Sequence, residues 1–124
     1  MTTEMLARVS EGAKWMDRHR PGWADRIDTD ALDLQHCHKC VIGQIVSSYW
    51  AFVGRYQEDK ATFHRNEAWA VQHGFSMPYA TTWPDPHISR WKDLREAWIT
   101  EVLARRFAAL PQDVKTEQPV AVTA

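Results

Sequence analysis

"VIGQIVSSYWAFV", residues 41–53, is the longest apolar stretch of the chain, and its periodicity decides the fold class. At about 100° per residue, Ile42, Ile45, Val46, Tyr49, Trp50 and Val53, with Tyr56 just beyond, share one broad face. The spacing therefore predicts a helix over about 38–57. Its reverse side carries Cys40, Gly43, Ser47, Ala51 and Gly54 instead of the charges a surface helix would show. Small residues let another backbone come close, so this helix is expected to be central and covered on two sides, or to dimerise through its small face. The stretch is interrupted by Gln44, Ser47 and Ser48, and it is shorter than the about 20 apolar residues that span a bilayer.

Toward the amino terminus, Met5, Val9, Ala13 and Met16, flanked by Leu6, form one stripe, which predicts a helix over about 3–18. "RPGW" breaks it, with Pro21 and Gly22 forcing a turn. "ADRIDTDALDL" follows, with aspartates at 25, 28, 30 and 33. A calcium loop counted from Asp28 fails, because its sixth position is Asp33 and not Gly and its twelfth is Lys39 and not Glu. Asp28 or Asp30 capping a short turn around Ala31 to Leu34 accounts for these residues better.

Toward the carboxyl terminus, "ATFHRNEAWAVQHGF" reads as a helix over about 61–73, stopped by Gly74. "SMPYATTWPDP" is an irregular connection. Asp85 as cap and Pro86 at the first position would start the last helix, whose stripe is Ile88, Trp91, Leu94, Trp98 and Val102, with Ile99 beside it, running to about 108. Residues 111–124 show no periodic pattern and are expected to be a disordered tail after a single helical domain over 1–110. No segment alternates as a strand would. The chain reads as all-α, a compact bundle of about four helices around a central one.

The charges nearly cancel, 15 basic against 16 acidic, so no field of the whole molecule draws in nucleic acid or anionic lipid. A chain of 124 residues can bury a core without disulfides. "MTTEML" is no secretory signal, so Cys37 and Cys40 are expected to be thiols of a soluble cytoplasmic protein. Tryptophan is the anomaly, with seven at 15, 23, 50, 69, 83, 91 and 98. Most should fill the core, and one or two facing outward would anchor a partner.

"GAKWMDRHRPGWADRIDTDALDLQHCHKCVIGQ", residues 12–44, resembles a set of small uncharacterised proteins of actinobacteriophages and actinobacteria. The matching positions are Gly12, Ala13, Trp15 to Asp17, Pro21 to Trp23, Ile27, Asp28, Leu32 to Leu34, Cys37, Cys40, Gly43 and Gln44. Looser agreement continues at His73-Gly74-Phe75 and at "WKDLREAWITEVLARR". His36 and His38 are not hallmarks of that set. The resemblance implies a phage or prophage context, hence a host cytoplasm, and brings no activity with it.

The chemistry-bearing cluster is "HCHKC", residues 36–40. A Cys-x-x-Cys pair can chelate zinc, but a structural site takes four Cys or His ligands. His36 and His73 are the candidates to complete Cys37 and Cys40, and a Cys pair from each of two chains would need no histidine. His38 points away from Cys40 if helix already covers the cluster. A redox role would need the Cys37 thiol to be acidified at a helix amino terminus, in a β-α-β setting that is missing here. The remaining reading is that Cys40 continues the small face and Cys37 packs nearby.

His64 and Glu67 share a face but make a weak pair, and there is no nucleophile elbow or phosphate loop. Lys14, Arg18 and Arg20, like Arg105 and Arg106, suit helix carboxyl ends, and no basic stripe suggests nucleic acid. What remains is a non-enzymatic, phage-type accessory protein that engages a host protein or a second copy of itself. The competing expectation is zinc binding or thiol redox chemistry at Cys37 and Cys40.

Overall fold

In a computed structural model, residues 2–54, 60–77 and 88–113 are described, apart from the side chains of residues 88 and 89. Among them, six helices pack against one another as an all-α bundle. The first, α1, spans Thr3–His19. Thr2 opens it by accepting a hydrogen bond from the Met5 amide at 3.1 Å, and Glu4 lies in the positive first turn. Its buried face is Met5, Val9, Gly12, Ala13 and Met16, the expected stripe with a glycine added. The short α2, Trp23–Arg26, follows Gly22, whose φ of 81° is open to a residue without Cβ.

The sequence predicts one central helix over 38–57, and here the structure differs. The segment divides into α3, Val41–Val46, and α4, Tyr49–Val53. Between them Ser47 has φ 79°, the only positive φ at a described non-glycine residue. Ser48 then caps α4, its Oγ accepting from the Ala51 amide at 3.4 Å. Serine hydroxyls compete with the backbone ladder for hydrogen bonds, and two in succession make a break accessible. The apolar face survives the break only in part. Ile42, Tyr49 and Val53 are buried and Val41 joins them. Ile45 and Val46 are half-buried, and the new start at Ser48 turns Trp50, expected on the same face, out to solvent.

The small face does not survive the break. Ser47 and Ala51 are exposed, and Gly43 is close to the chain's own preceding turn, where a Cβ would lie 2.8 Å from the His38 backbone. No single helical surface of small residues is available to dimerise.

α5, Lys60–Gln72, ends as expected at Gly74, φ 73°. The Phe75 amide donates to Ala70 O at 2.9 Å and the Gly74 amide to Val71 O at 3.1 Å, the two bonds of a Schellman ending. α6, Ile88–Ala108, lies along α1 in the same direction, with Trp98 beside Gly12 and Arg105 beside Asp17. The expected start at Asp85 and Pro86, and residues 114–124 of the expected tail, lie outside the described residues.

The core centres where α1, the α5 ending and α6 meet. Trp98 is fully buried, stacks on Phe75 at 5.1 Å, meets Trp23 edge-on at 5.8 Å, and donates Nε1–H to Gly74 O at 2.6 Å. A Cβ on Gly12 would collide with His73 O, and one on Gly74 would sit 2.7 Å from the Val9 backbone. These two glycines set how closely the three elements approach.

Arginines of α6 do more than complement its dipole. Arg105 forks onto Asp17 at 2.8 and 2.9 Å, while Trp23 Nε1–H donates to the same carboxylate at 2.9 Å. The Arg105 hydrogen bond holds the Asp17 carboxyl below the ordinary carboxylate range, against the opposing effect of partial burial. Arg106 donates to Ala24 O and Ile27 O, and Arg95 to Leu32 O and Thr29 O, both at 2.8 Å. Together they strap the 24–32 segment to α6. No helix among the described residues is long and apolar enough to cross a membrane.

Candidate functional site

The cluster at residues 36–40 is not helical. It is one hydrogen-bonded turn, in which His36 O accepts from the Lys39 amide at 3.1 Å and the Cys40 amide at 3.0 Å. Helix begins only at Val41, so the residue at its head is Cys40 and not Cys37. The Cys40 sulfur caps α3 by accepting from the Gly43 amide at 3.2 Å. Burial pushes its thiol up to about 11, outweighing that amide's opposite pull. A buried thiol kept protonated in this way is a poor nucleophile. Cys37 is half-buried.

The two turn histidines are committed locally. His36 Nδ1 accepts from the His38 amide at 3.1 Å, and His38 Nδ1 lies 2.6 Å from Ser47 O, so it donates there. Both rings are otherwise exposed. His73 sits at the α5 ending, its Nδ1 2.8 Å from Trp69 O and its ring stacked on Trp69 at 4.1 Å. Among the described residues, no three His, Cys, Asp or Glu side chains are placed to hold one ion. Cys37, Cys40, His36 and His73 are therefore not gathered into a shell. The aspartates expected to shape turns do so: Asp28 Oδ1, and not Asp30, accepts from the amides of Asp30 and Ala31 at 3.0 and 3.2 Å.

What the turn does is visible in its other bonds. Cys37 O accepts the Tyr49 amide at 2.8 Å, pinning the first residue of α4. Gln44 locks the turn to the preceding loop, its Nε2 donating to Lys39 O at 2.9 Å and Asp28 O at 3.2 Å while Oε1 accepts from the Asp28 amide at 2.7 Å. The turn is thus a bracket that positions α4.

A second set of contacts fixes α4 on α5. Tyr49 donates to Glu67 Oε2 at 2.5 Å, and Ser76 lies 3.5 Å from Glu67 Oε1. Burial, reinforced by the neighbouring carboxylate, pushes the Tyr49 hydroxyl above its ordinary range, so it stays a donor. Asn66 Nδ2 donates to Val53 O at 3.1 Å, holding the other end of α4. Glu67 thus serves Tyr49, a partner eighteen residues away that no local spacing announces.

The outcome is the presentation of Trp50. It is 50% exposed, stacks on Phe63 of α5 at 5.8 Å with planes 14° apart, and leans against Tyr49 at 5.5 Å. Comparison of the chain with protein-family models, curated proteins and solved structures finds no match. The reading of the site rests on its own geometry. Of the six tryptophans among the described residues, Trp23 and Trp98 are buried, Trp15, Trp69 and Trp91 are half-buried, and Trp50 alone is exposed. Trp15, Phe52 and Trp69 form a separate, half-buried aromatic group, with Trp15 to Phe52 at 5.9 Å and Trp15 to Trp69 at 5.1 Å.

Proposed function

We propose that this chain is a non-enzymatic protein-binding module that offers Trp50 as an anchor to a protein partner. One observation carries the reading: a tryptophan half in solvent on a five-residue helix held at both ends and stacked from one side. An isolated exposed ring is commonplace. One whose support is fixed loses little conformational freedom on binding, and such large rigid rings dominate interfaces. The bracket at residues 36–40 then serves binding by holding α4 in place. The phage or prophage setting implied by the sequence resemblance belongs to this proposal, with a host protein as the partner.

The test places a photo-crosslinking amino acid at Ala51, exposed beside Trp50, in cells of an actinobacterial host. One discrete adduct is expected. It should disappear when Trp50→Ala is added, because truncating an anchor of this kind costs about 2 kcal/mol or more of binding. Absence of any adduct, or an adduct indifferent to Trp50→Ala, rejects the reading.

A further inference from the structure

The turn that brackets α4 also holds both thiols of the chain. Its closing bonds, from the Lys39 and Cys40 amides to His36 O, fold residues 37–40 back on themselves. A turn closed in this way keeps residues three apart within about 7 Å, and a disulfide asks for α-carbons about 4.4–6.8 Å apart. The side chains converge as well. Cys40 Sγ lies 4.0 Å from Cys37 O, and Cys37 packs against the core cluster to which Cys40 belongs. The Cys37 thiol is near enough to add to the upward push on that of Cys40. No third cysteine competes for either.

Access fixes the order of events. Cys37 is half-buried and Cys40 is buried, so a small oxidant meets Cys37 first. As its thiolate, Cys37 attacks one sulfur of a low-molecular-weight disulfide, forming a mixed disulfide and releasing one thiolate. Cys40 then gives up its proton and attacks the Cys37 sulfur, which closes the Cys37–Cys40 bond and expels the second thiolate. The protein loses two electrons and two protons, and the small disulfide is reduced to two thiols. A stoichiometric exchange of this kind does not need the strongly acidified first thiol of a redox catalyst.

The bridge changes the helix behind it. In the dithiol state Cys40 Sγ accepts from the Gly43 amide at 3.2 Å and so caps α3. Gly43 is buried, so bulk water does not replace a partner lost there. Turning the sulfur onto Cys37 takes it away from that amide.

We propose that Cys37 and Cys40 form a reversible disulfide, with a low-molecular-weight disulfide as oxidant, and that closing it uncaps α3. The device is built into the bracket and holds whether or not Trp50 anchors a partner.

The test treats the full folded chain with oxidised glutathione and reads intact mass, the linked peptide and amide exchange by NMR. Wild type should lose the mass of two hydrogens, keep no glutathione, show Cys37 linked to Cys40, and regain both thiols with dithiothreitol. Cys40→Ser should instead keep one glutathione on Cys37, and Cys37→Ser should stay unmodified because Cys40 is out of reach. Exchange at the Gly43 amide should rise about tenfold in the oxidised protein, while exchange along α1 stays as it was. A wild type that remains a dithiol, holds glutathione at Cys37 or links two chains overturns the bridge. A bridged protein whose Gly43 amide exchanges as before overturns the uncapping.

Discussion

The junction around Trp98 and the bracket around Trp50 both hold a tryptophan, by opposite means. At the junction, buried apolar volume and two glycines bring α1, the α5 ending and α6 together, with one ring N–H satisfied by Gly74 O. At the bracket, the work falls to polar groups: Gln44 on Lys39 and Asp28, Cys40 on Gly43, Asn66 on Val53, Tyr49 on Glu67. Dry packing buries its ring. Hydrogen bonding supports a ring from behind and leaves its face in water. The first arrangement should answer to changes of volume and the second to loss of single polar atoms.

The largest effect expected from this contrast is at the junction. Trp98→Ala should lower unfolding free energy by about 3–5 kcal/mol, the usual loss for a buried aromatic, measured by urea denaturation. A loss below about 1 kcal/mol would mean that the junction is not the core. At the bracket, Tyr49→Phe removes one oxygen without changing the ring's volume. It should cost about 1–2 kcal/mol, with hydrogen exchange of the α4 amides rising more than that of α1. Equal acceleration in both helices would erase the distinction drawn here.

A smaller effect is expected where the junction carries its one forked ion pair. The folded-state pKa of Asp17 is lowered, so its contribution is present above the unfolded value of about 4 and is lost as pH falls through the folded value. The pair is partly open to water, with side-chain exposures of 25% for Arg105 and 46% for Asp17, so no more than about 1 kcal/mol is involved. Melting temperatures of wild type and Asp17→Asn should differ at pH 7 and converge as pH falls below the unfolded value of about 4; curves that stay parallel contradict the linkage.

The cysteines provide the finest test. At pH 8 a thiol of pKa about 11 is ionised in about one molecule per thousand, so Cys37 should alkylate first and Cys40 only on unfolding. Purified protein should carry far less than one zinc per two chains. Near-stoichiometric metal lost in Cys37→Ser/Cys40→Ser would restore a metal centre at the turn.

How much of this was legible beforehand depended on sequence separation. The α1 stripe, the halt at Gly74 and the register of α6 from Trp91 to Val102 are local patterns, and they are present as expected. The break at Ser47 was not legible, because a helical wheel counts apolar positions and cannot see that Ser48 starts a new helix that turns Trp50 outward. Cys37 and Cys40 were conspicuous as a pair, but wheel geometry placed them on a helix that starts only at Val41. The bonds that give the turn its role, Gln44 to Asp28 across sixteen residues and Tyr49 to Glu67 across eighteen, have no local signature. Nor do Arg95, which carried no reading of its own, and Arg106, which looked like an ordinary helix-end cation; both reach backbone carbonyls more than sixty residues away. An exposed tryptophan was anticipated in kind; only the fold singled out Trp50.

The side-by-side packing of the first and last helices has a consequence for synthesis. Asp17 and Arg105 are 88 residues apart, so α1 leaves the ribosome long before its partner exists. At elongation rates of about 5–20 residues per second, the Val9 and Met16 face waits roughly 4–18 s for α6. During that interval it is an exposed apolar ribbon of the kind chaperones grip. Slowing translation should lengthen that exposure without changing the stability of the finished bundle.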